Sequence, residues 1–220
     1  GEPGFVFTDS LDFPYNPCVE IGMKPEFITP ELLVETGFQF CNLTEINGSK
    51  IDSKEKLIRA TRAAAILGTL QAGYTDFDYL KDASKKITER EALIGVSITG
   101  WMDNPDFLFD KDNMILGAEN VKAVNKLVAE LISINQAART TCAKPAGNAS
   151  VILMTPSGIH GDHSKYYIRN VQMNEQEEVL QLIRKHNPKM VEKSVWSGTG
   201  TDYVVSFPLA ASEKAQFKKA

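Results

Sequence analysis

The sequence predicts an α/β protein with mainly parallel strand pairing, because buried strands alternate along the chain with long amphipathic helices. Three segments support this prediction. Residues 53–72 and 117–139 carry apolar residues at helical spacing, and residues 92–99 are an almost unbroken apolar run of strand length. We find no internal repeat, low-complexity tract or linker, so we expect one domain.

Residues 1–50 are rich in proline and contain only short apolar runs, which predicts loops and strand ends. The helix at 53–72 follows Asp52, a plausible N-cap residue, and its many alanines predict close packing. The strand at 92–99 ends at Gly100. A polar, turn-rich stretch at 101–113 precedes the second long helix, in which Val121, Val124 and Leu131 recur at helical spacing.

The rest of the chain predicts shorter elements. Residues 141–150 form a small, polar loop followed by the apolar run 151–154, which predicts a helix-to-strand connection. Residues 175–186 predict a surface helix and residues 203–207 a short strand.

Composition excludes several functional classes. The 220 residues carry a formal charge of −4 without a sustained basic block, which argues against nucleic-acid binding. The apolar runs are too short to cross a membrane. Three widely spaced cysteines fit neither a disulfide framework nor a Cys-x-x-Cys zinc site, so we expect a reducing cytoplasm. The chain opens without Met or a signal segment, so we expect a piece of a longer polypeptide.

The segment 15–21 places three different functional groups at every second position: the amide of Asn16, the thiol of Cys18 and the carboxylate of Glu20. In extended backbone, side chains two residues apart project to the same side, so we expect these groups to converge. Taken alone, the triplet fits equally well a buried thiol that packs as a small hydrophobic side chain beside a surface carboxylate.

A second cysteine, Cys41, follows 23 residues later in the segment Cys-Asn-Leu-Thr-Glu-Ile-Asn. The pair Asn-Pro-Cys-x-Glu and Cys-Asn-Leu-x-Glu-Ile-Asn resembles the active-site region of ribonucleotide reductase catalytic subunits. Three further segments resemble the same family in the same order, and together they span nearly the whole chain: 59–71, 91–100 and 139–150.

The resemblance implies a fold. The family's catalytic domain is a ten-stranded α/β barrel with the radical cysteine on a central loop, and this chain resembles its second half. Residues 1–220 would then be a single partial barrel domain. Half a barrel leaves strand edges unpaired, so we expect a complementary amino-terminal polypeptide as a partner.

The resemblance also implies a thiyl-radical reduction of ribonucleotides to 2′-deoxyribonucleotides. Cys18 would carry the radical, Glu20 would act as general base on the 3′-hydroxyl, and Asn16 would hold the sugar hydroxyls. Cys41 would be half of a redox dithiol whose partner lies upstream of this chain, re-reduced by a dithiol such as thioredoxin. Cys142 is expected to be a buried structural thiol.

The loop that starts at Lys144 predicts a phosphate site, because its small residues leave backbone N–H groups and the Ser150 hydroxyl accessible. It resembles the family's Lys-Pro-Ser-Gly-Thr loop but departs from it at Ala146 and Asn148. Any helix-to-strand connection can have a similar sequence. The residues assigned to the phosphate are Pro145, Ala146, Gly147, Asn148, Ala149 and Ser150.

The motifs resemble most the reductase class that uses adenosylcobalamin, which is therefore the expected cofactor. Three alternatives stay open at this stage: the class fed by a metal-containing small subunit, an inactive structural fragment, and a module that only binds phosphate. The cluster of His160, Asp162 and His163 is expected to be a turn and not a metal site. Tyr166 and Tyr167 are expected to pack in the structure.

Overall fold

The computed structural model describes residues 5, 7, 8, 14–162, 164–211, 213 and 215. The strands are β1 (Glu26–Ile28), β2 (Val34–Thr36), β3 (Asn42–Asn47), β4 (Ile94–Thr99), β5 (Tyr166–Asn174), β6 (Val191–Lys193) and β7 (Asp202–Ala210). The helices are α1 (Lys54–Ala72), α2 (Asp82–Glu91), α3 (Pro105–Leu108), α4 (Lys111–Leu131), α5 (Gly147–Leu153) and α6 (Glu178–His186).

The core is a parallel pair, β3 and β4, covered on one face by α1 and α4. Residues 139–142 extend this pair as a third parallel segment. The Val96 N–H donates to the Thr140 carbonyl at 2.9 Å, and the Cys142 N–H donates to the Val96 carbonyl at 3.2 Å. The helical face buries apolar side chains of all four elements, among them Ile46, Leu57, Ala65, Ile94, Val96 and Val121.

Helix α1 confirms the predicted helix at 53–72, but its N-cap is Ser53 and not Asp52. The Ser53 hydroxyl accepts from the Lys56 N–H, whereas Asp52 forms an exposed ion pair with the Lys56 ammonium at 2.7 Å. Both residue types can cap a helix, and here Ser53, the residue directly before the first helical turn, does so.

Helix α4 is displaced toward the amino terminus relative to the predicted range 117–139. Asp110 starts it early by accepting from the Asn113 N–H at 3.0 Å, a cap inside the stretch interpreted as turns. The helix stops at Leu131, close to Ser133, which has a left-handed backbone with φ of 59°. Residues 139–142 therefore belong to the sheet.

Strand pairing is parallel only in the core. The pair β1–β2 and the three-stranded sheet β5–β7–β6 are antiparallel, so the prediction of mainly parallel pairing is wrong outside the core. The β6–β7 connection is too short for a parallel crossover, which needs a dozen or more residues. The apolar run 151–154 is also not a strand, because it belongs to α5 and its left-handed end at Met154.

Helix α5 is fixed against the carboxyl ends of β3 and β4. The Asn47 side-chain amide donates to the Leu153 carbonyl at 2.9 Å, and the Thr99 hydroxyl donates to the Pro156 carbonyl at 2.9 Å. Gly100 follows β4 with φ of 76°, and a Cβ there would overlap the Thr155 hydroxyl. Loops at this edge of a parallel sheet commonly bind ligands.

The mixed α/β class is confirmed, with sheets of two, two and three strands among the described residues. No helix in the described part of the chain is both long and apolar enough to cross a lipid bilayer.

Candidate active site

The core sheet has one face turned away from the helices, here called the inner face. Side chains alternate along strands, and Ile46, Ile94 and Val96 face the helices. The residues on the inner face are therefore Leu43, Glu45, Gly95 and Ser97. A Cβ built on Gly95 would meet the Leu43 side chain, the Cys142 sulfur at 3.0 Å and the Ile21 side chain at 3.8 Å. The loop that carries Ile21 therefore packs on the inner face.

This loop, residues 14–23, is closed by main-chain hydrogen bonds. The Met23 N–H donates to the Pro14 carbonyl at 2.9 Å, and the Asn16 N–H donates to the Ile21 carbonyl at 3.2 Å. Asn16 is buried, and its side-chain Oδ1 accepts from the Ile21 N–H at 3.0 Å. Asn16 thus uses its carbonyl oxygen to close the loop and keeps its amide donors for another partner.

The expectation of extended backbone at 15–21 is wrong. The chain turns at residues 17–19, because the Val19 N–H donates back to the Asn16 carbonyl at 2.9 Å. Val19 has φ of 65°, a left-handed conformation that is strained for a β-branched residue. The turn leaves Cys18 exposed at the tip of the loop.

Glu20 lies deeper, and both of its carboxylate oxygens are buried without a hydrogen-bond partner among the described residues. Cys41, just before β3, shares with Glu20 a cavity of about 70 Å³ that Cys142 also lines. Burial raises the pKa of Cys41, and the charges of Glu20 and then Cys18 raise it further. Cys18, Glu20 and Cys41 are therefore close enough for their charges to interact. The turn brings them together, although the backbone there is not extended.

Cys142 also belongs to this group, although we expected only a structural thiol. Burial raises its pKa to about 12, with smaller contributions from Glu20, Glu45 and Cys41, while Lys144 lowers it. The thiol is half-buried against Gly95, which agrees with a packing role.

Glu45 is a site residue that the sequence analysis missed. It belongs to the motif of residues 41–47 and lies on the inner face, with both carboxylate oxygens buried near the Ser97 hydroxyl. Burial raises its pKa, Lys144 and Ser97 lower it, and Glu20 raises it. Its position, four residues after Cys41 on a strand, was a period-two signal that it shares the face of that cysteine.

The predicted phosphate loop lies at the start of α5. Pro145, Gly147 and Asn148 are exposed, Ala149 is half-buried, and Ala146 and Ser150 are fully buried. The expectation that the Ser150 hydroxyl is accessible to a phosphate is wrong, because Ser150 is buried and its hydroxyl donates to the Gly147 carbonyl at 2.7 Å. The hydroxyl stabilises the loop from inside. In the first helical turn, the Gly147 N–H donates to the Pro145 carbonyl at 3.0 Å and the Ser150 N–H to the Ala146 carbonyl at 3.3 Å. The N–H groups of Asn148 and Ala149 have no main-chain acceptor among the described residues.

A second missed residue is Arg169 on β5. Its guanidinium donates to the Ser150 hydroxyl at 3.2 Å and lies over the Tyr167 ring at 6.0 Å. Tyr167 is half-buried, whereas Tyr166 is 69% exposed and does not pack as expected. The predicted turn at 160–163 ends outside the described residues, because His163 is not among them. Within the described residues, no cluster of three His, Cys, Asp or Glu side chains is arranged to hold a metal.

The structure defines a mixed α/β fold in which free thiols and buried carboxylates lie near each other. Comparisons with known proteins show which proteins have a similar fold and sequence. No protein-family model matches the chain. The fold is similar to the crystal structure of a B12-dependent (class II) ribonucleotide reductase, with a TM-score of 0.62 and 16% identity, over 91% of this chain and 30% of that chain.

In sequence, the chain is 22% identical over 201 residues to a probable adenosylcobalamin-dependent ribonucleoside-triphosphate reductase of Dictyostelium discoideum. The match covers 82% of this chain and 24% of the relative, so the chain spans about a quarter of the length of that protein. The resemblance to cobalamin-dependent ribonucleotide reductases, first inferred from the motifs, is thereby confirmed.

Proposed function

We propose that this chain is the part of an adenosylcobalamin-dependent ribonucleotide reductase that carries the reacting thiols, and that it functions as the second half of a ten-stranded α/β barrel. The observation that carries this proposal is that Glu20 and Cys41 line one cavity beside the core sheet, with Cys18 close enough for its charge to act on Cys41. The similar fold and sequence of cobalamin-dependent reductases support it.

In the proposed reaction, a thiyl radical on Cys18 takes the 3′ hydrogen atom of the ribose, which leaves a carbon radical on the sugar and restores the thiol. The 2′-hydroxyl then leaves as water after it receives a proton. Two electrons and two protons come from a dithiol, which ends as a disulfide, and Cys18 returns a hydrogen atom to the 3′ carbon. The exposed tip of the loop gives the substrate access to Cys18.

Glu20 takes the proton of the 3′-hydroxyl in this scheme. A general base needs hydrogen-bond reach to that proton, and the Glu20 oxygens have no competing partner among the described residues. Asn16 uses its remaining amide donors on the sugar hydroxyls while its Oδ1 stays bonded to Ile21.

Cys41 is the member of the redox dithiol that this chain supplies, and its partner comes from the complementary amino-terminal polypeptide. The raised pKa of Cys41 keeps its thiol protonated, so it can deliver hydrogen to the substrate. A small dithiol or a protein such as thioredoxin then reduces the disulfide. The phosphates of the ribonucleotide bind at residues 145–150.

Adenosylcobalamin would supply the radical that oxidises Cys18. The residues present fit this requirement in one respect, because the Cys18 thiol is exposed at the tip of the loop. A large cofactor would therefore have access to the Cys18 sulfur.

The complementary polypeptide would complete the sheet. Among the described residues, the outer edges of β3 and of segment 139–142 have no strand partner. Open strand edges are sites for pairing with another chain segment. The outer helices also expose apolar side chains that a partner can cover, among them Leu67, Leu70, Leu127 and Leu131.

The test is deoxyribonucleotide formation by this chain assembled with a complementary amino-terminal half, in the presence of adenosylcobalamin, a dithiol and a ribonucleotide. We expect turnover with the unchanged chain and none with Cys18→Ser. The matched control is Cys142→Ser, which changes a neighbouring thiol that has no role in the proposed chemistry and should keep turnover.

Three results would contradict the proposal. Turnover that survives Cys18→Ser would exclude the thiyl mechanism at this residue. Activity that requires a metal-containing small subunit and ignores adenosylcobalamin would reassign the radical source. Absence of turnover in every mixture would favour an inactive structural fragment.

A further inference from the structure

Arg169 connects the antiparallel sheet to the predicted phosphate loop. It lies on β5 among the residues that alternate inward, and its Nη1 donates to the Ser150 hydroxyl at 3.2 Å. Ser150 is 1% exposed, and its hydroxyl donates in turn to the Gly147 carbonyl. The guanidinium therefore lies beside the loop, fixed through a buried hydroxyl.

The guanidinium keeps donors that described residues do not use. A guanidinium has five N–H donors. Among the described residues, Arg169 uses one of them, in the hydrogen bond to the Ser150 hydroxyl. No carboxylate within the described chain forms an ion pair with it. The Tyr167 ring supports it from one side at 6.0 Å.

The other basic residue of the loop, Lys144, is turned elsewhere. Its charge lowers the pKa values of Glu45 and Cys142. Its main-chain N–H donates to the Ser97 hydroxyl at 3.1 Å, so Lys144 belongs to the inner face. A nucleotide phosphate bound to residues 145–150 needs a counter-charge, and Arg169 is in contact with this loop.

We propose that Arg169 binds the phosphate groups of the ribonucleotide, as a specificity residue that makes the site prefer phosphorylated substrates to nucleosides. This inference rests on the proposed function and extends it to a residue outside the recognised motifs. The planar fork of arginine suits two phosphate oxygens at once, while the bond to Ser150 holds the fork in place.

The experiment measures binding of three probes to the assembled protein by calorimetry: a ribonucleoside triphosphate, inorganic tripolyphosphate and the unphosphorylated nucleoside. We expect Arg169→Gln to weaken binding of the two phosphate probes by about tenfold or more, because a charge-assisted hydrogen bond is lost. Nucleoside binding should not change. Arg169→Lys keeps the charge without the fork and should give an intermediate loss.

The matched control is Arg184→Gln. Arg184 is an arginine of α6 that stacks on the Tyr203 ring at 4.5 Å, and its loss should leave all three affinities unchanged. Equal phosphate affinity in Arg169→Gln and the unchanged protein would overturn the proposal. An equal loss for nucleoside and phosphate probes would do the same, because it would show a structural role only.

Thermal unfolding decides whether Arg169→Gln is folded, and Arg169→Lys serves as the deciding variant if it is not. The outcome is separable from that of the proposed reaction, because Cys18→Ser removes turnover and leaves phosphate binding intact. Loss of turnover without loss of phosphate affinity would point to the radical chemistry. Loss of phosphate affinity without loss of turnover would point to Arg169.

Discussion

Asn16 and Ile21 are joined by two hydrogen bonds: the Asn16 N–H donates to the Ile21 carbonyl at 3.2 Å, and the Ile21 N–H donates to Asn16 Oδ1 at 3.0 Å. The two bonds close the loop on either side of Cys18. Its sulfur is thereby held at a turn whose base packs on the inner face of the sheet. The amide of Asn16 thus has a structural task in addition to its proposed contact with substrate.

Asn16→Ala should lower the free energy of unfolding by about 1 kcal/mol, because one hydrogen bond of the loop is lost. Asn16→Asp keeps an oxygen acceptor for the Ile21 N–H, so we expect near-normal stability but a loss of turnover of about tenfold or more, since the amide donors are gone. Urea denaturation and the reduction assay measure the two effects. Equal stability of the alanine variant and the unchanged chain would show that the side-chain bond is unimportant.

Glu20→Gln should remove turnover without loss of stability, because Glu20 is a buried carboxylate that lacks a hydrogen-bond partner among the described residues. It should also lower the pKa of Cys41, since the Glu20 charge is one cause of the raised value. The pH midpoint of Cys41 alkylation by iodoacetamide, followed by mass spectrometry, should move to lower pH.

Glu45→Gln is the matched control for this experiment. Glu45 also lies on the inner face and contributes to the raised pKa of Cys142 but is not a cause of the raised pKa of Cys41. Its replacement should therefore shift the alkylation midpoint of Cys142 and leave that of Cys41 in place. A shift of Cys41 in both variants would mean that the loop rearranges, and the charge assignment would fail.

Gly95→Ala should lower the free energy of unfolding by about 1–3 kcal/mol, because a new Cβ meets the Leu43 side chain and the Cys142 sulfur. The added variant Leu43→Ala should recover part of this loss by removing the nearest obstacle. Gly198→Ala is the control, since nothing lies within 4 Å of a Cβ there. Thermal unfolding compares the variants, and equal effects at the two glycines would exclude the close contact on the inner face.

Cys142 should make the folded state less stable in alkaline solution. Its pKa is raised from 9.0 to about 12 in the folded chain, so the protonated thiol stabilises the fold fully below about pH 9. That contribution is lost as the pH rises toward about 12, with a slope of at most about 1.4 kcal/mol per pH unit.

The measurement is urea denaturation under reducing conditions at several values above about pH 9, for the unchanged chain and for Cys142→Ser. Serine is nearly the same size and does not ionise in this range, so the difference between the two curves isolates the thiol. Parallel curves would mean that the Cys142 thiol is hydrated in the folded state.

Local sequence patterns were sufficient for the elements with strong periodicity. The helix at 53–72 and the strand at 92–99 were found within a few residues, because apolar spacing reports directly on a buried face. The early start of α4 was missed, since the Asp110 cap lies in a stretch that is also typical of turns. The strand predicted at 203–207 is confirmed as part of β7, but its antiparallel pairing with β5 and β6 was missed because partner choice depends on contacts far apart in sequence.

The site shows the same division. Asn16, Cys18, Glu20 and Cys41 were predicted as site residues from the motifs and the resemblance that they carry, and that assignment stays a prediction. The extended backbone expected around Cys18 is a strained turn. Glu45 stands inside the Cys-Asn-Leu-Thr-Glu-Ile-Asn motif but was given no role, because its burial on the inner face depends on how strand β3 packs. Arg169 lies outside the motifs, and its contact with Ser150 depends on the loop that the fold brings to it.

The sequence by itself determined which chemical groups the protein has and in which order, because residue identity and short-range periodicity are local properties. Only the tertiary structure decided that loop 14–23 lies on the inner face of β3 and β4, that Glu20 is buried beside Cys41 and Cys142, and that Arg169 reaches Ser150. Such contacts join residues that are tens of positions apart. They are set by the packing of helices on one face of the sheet, which leaves the other face to the site.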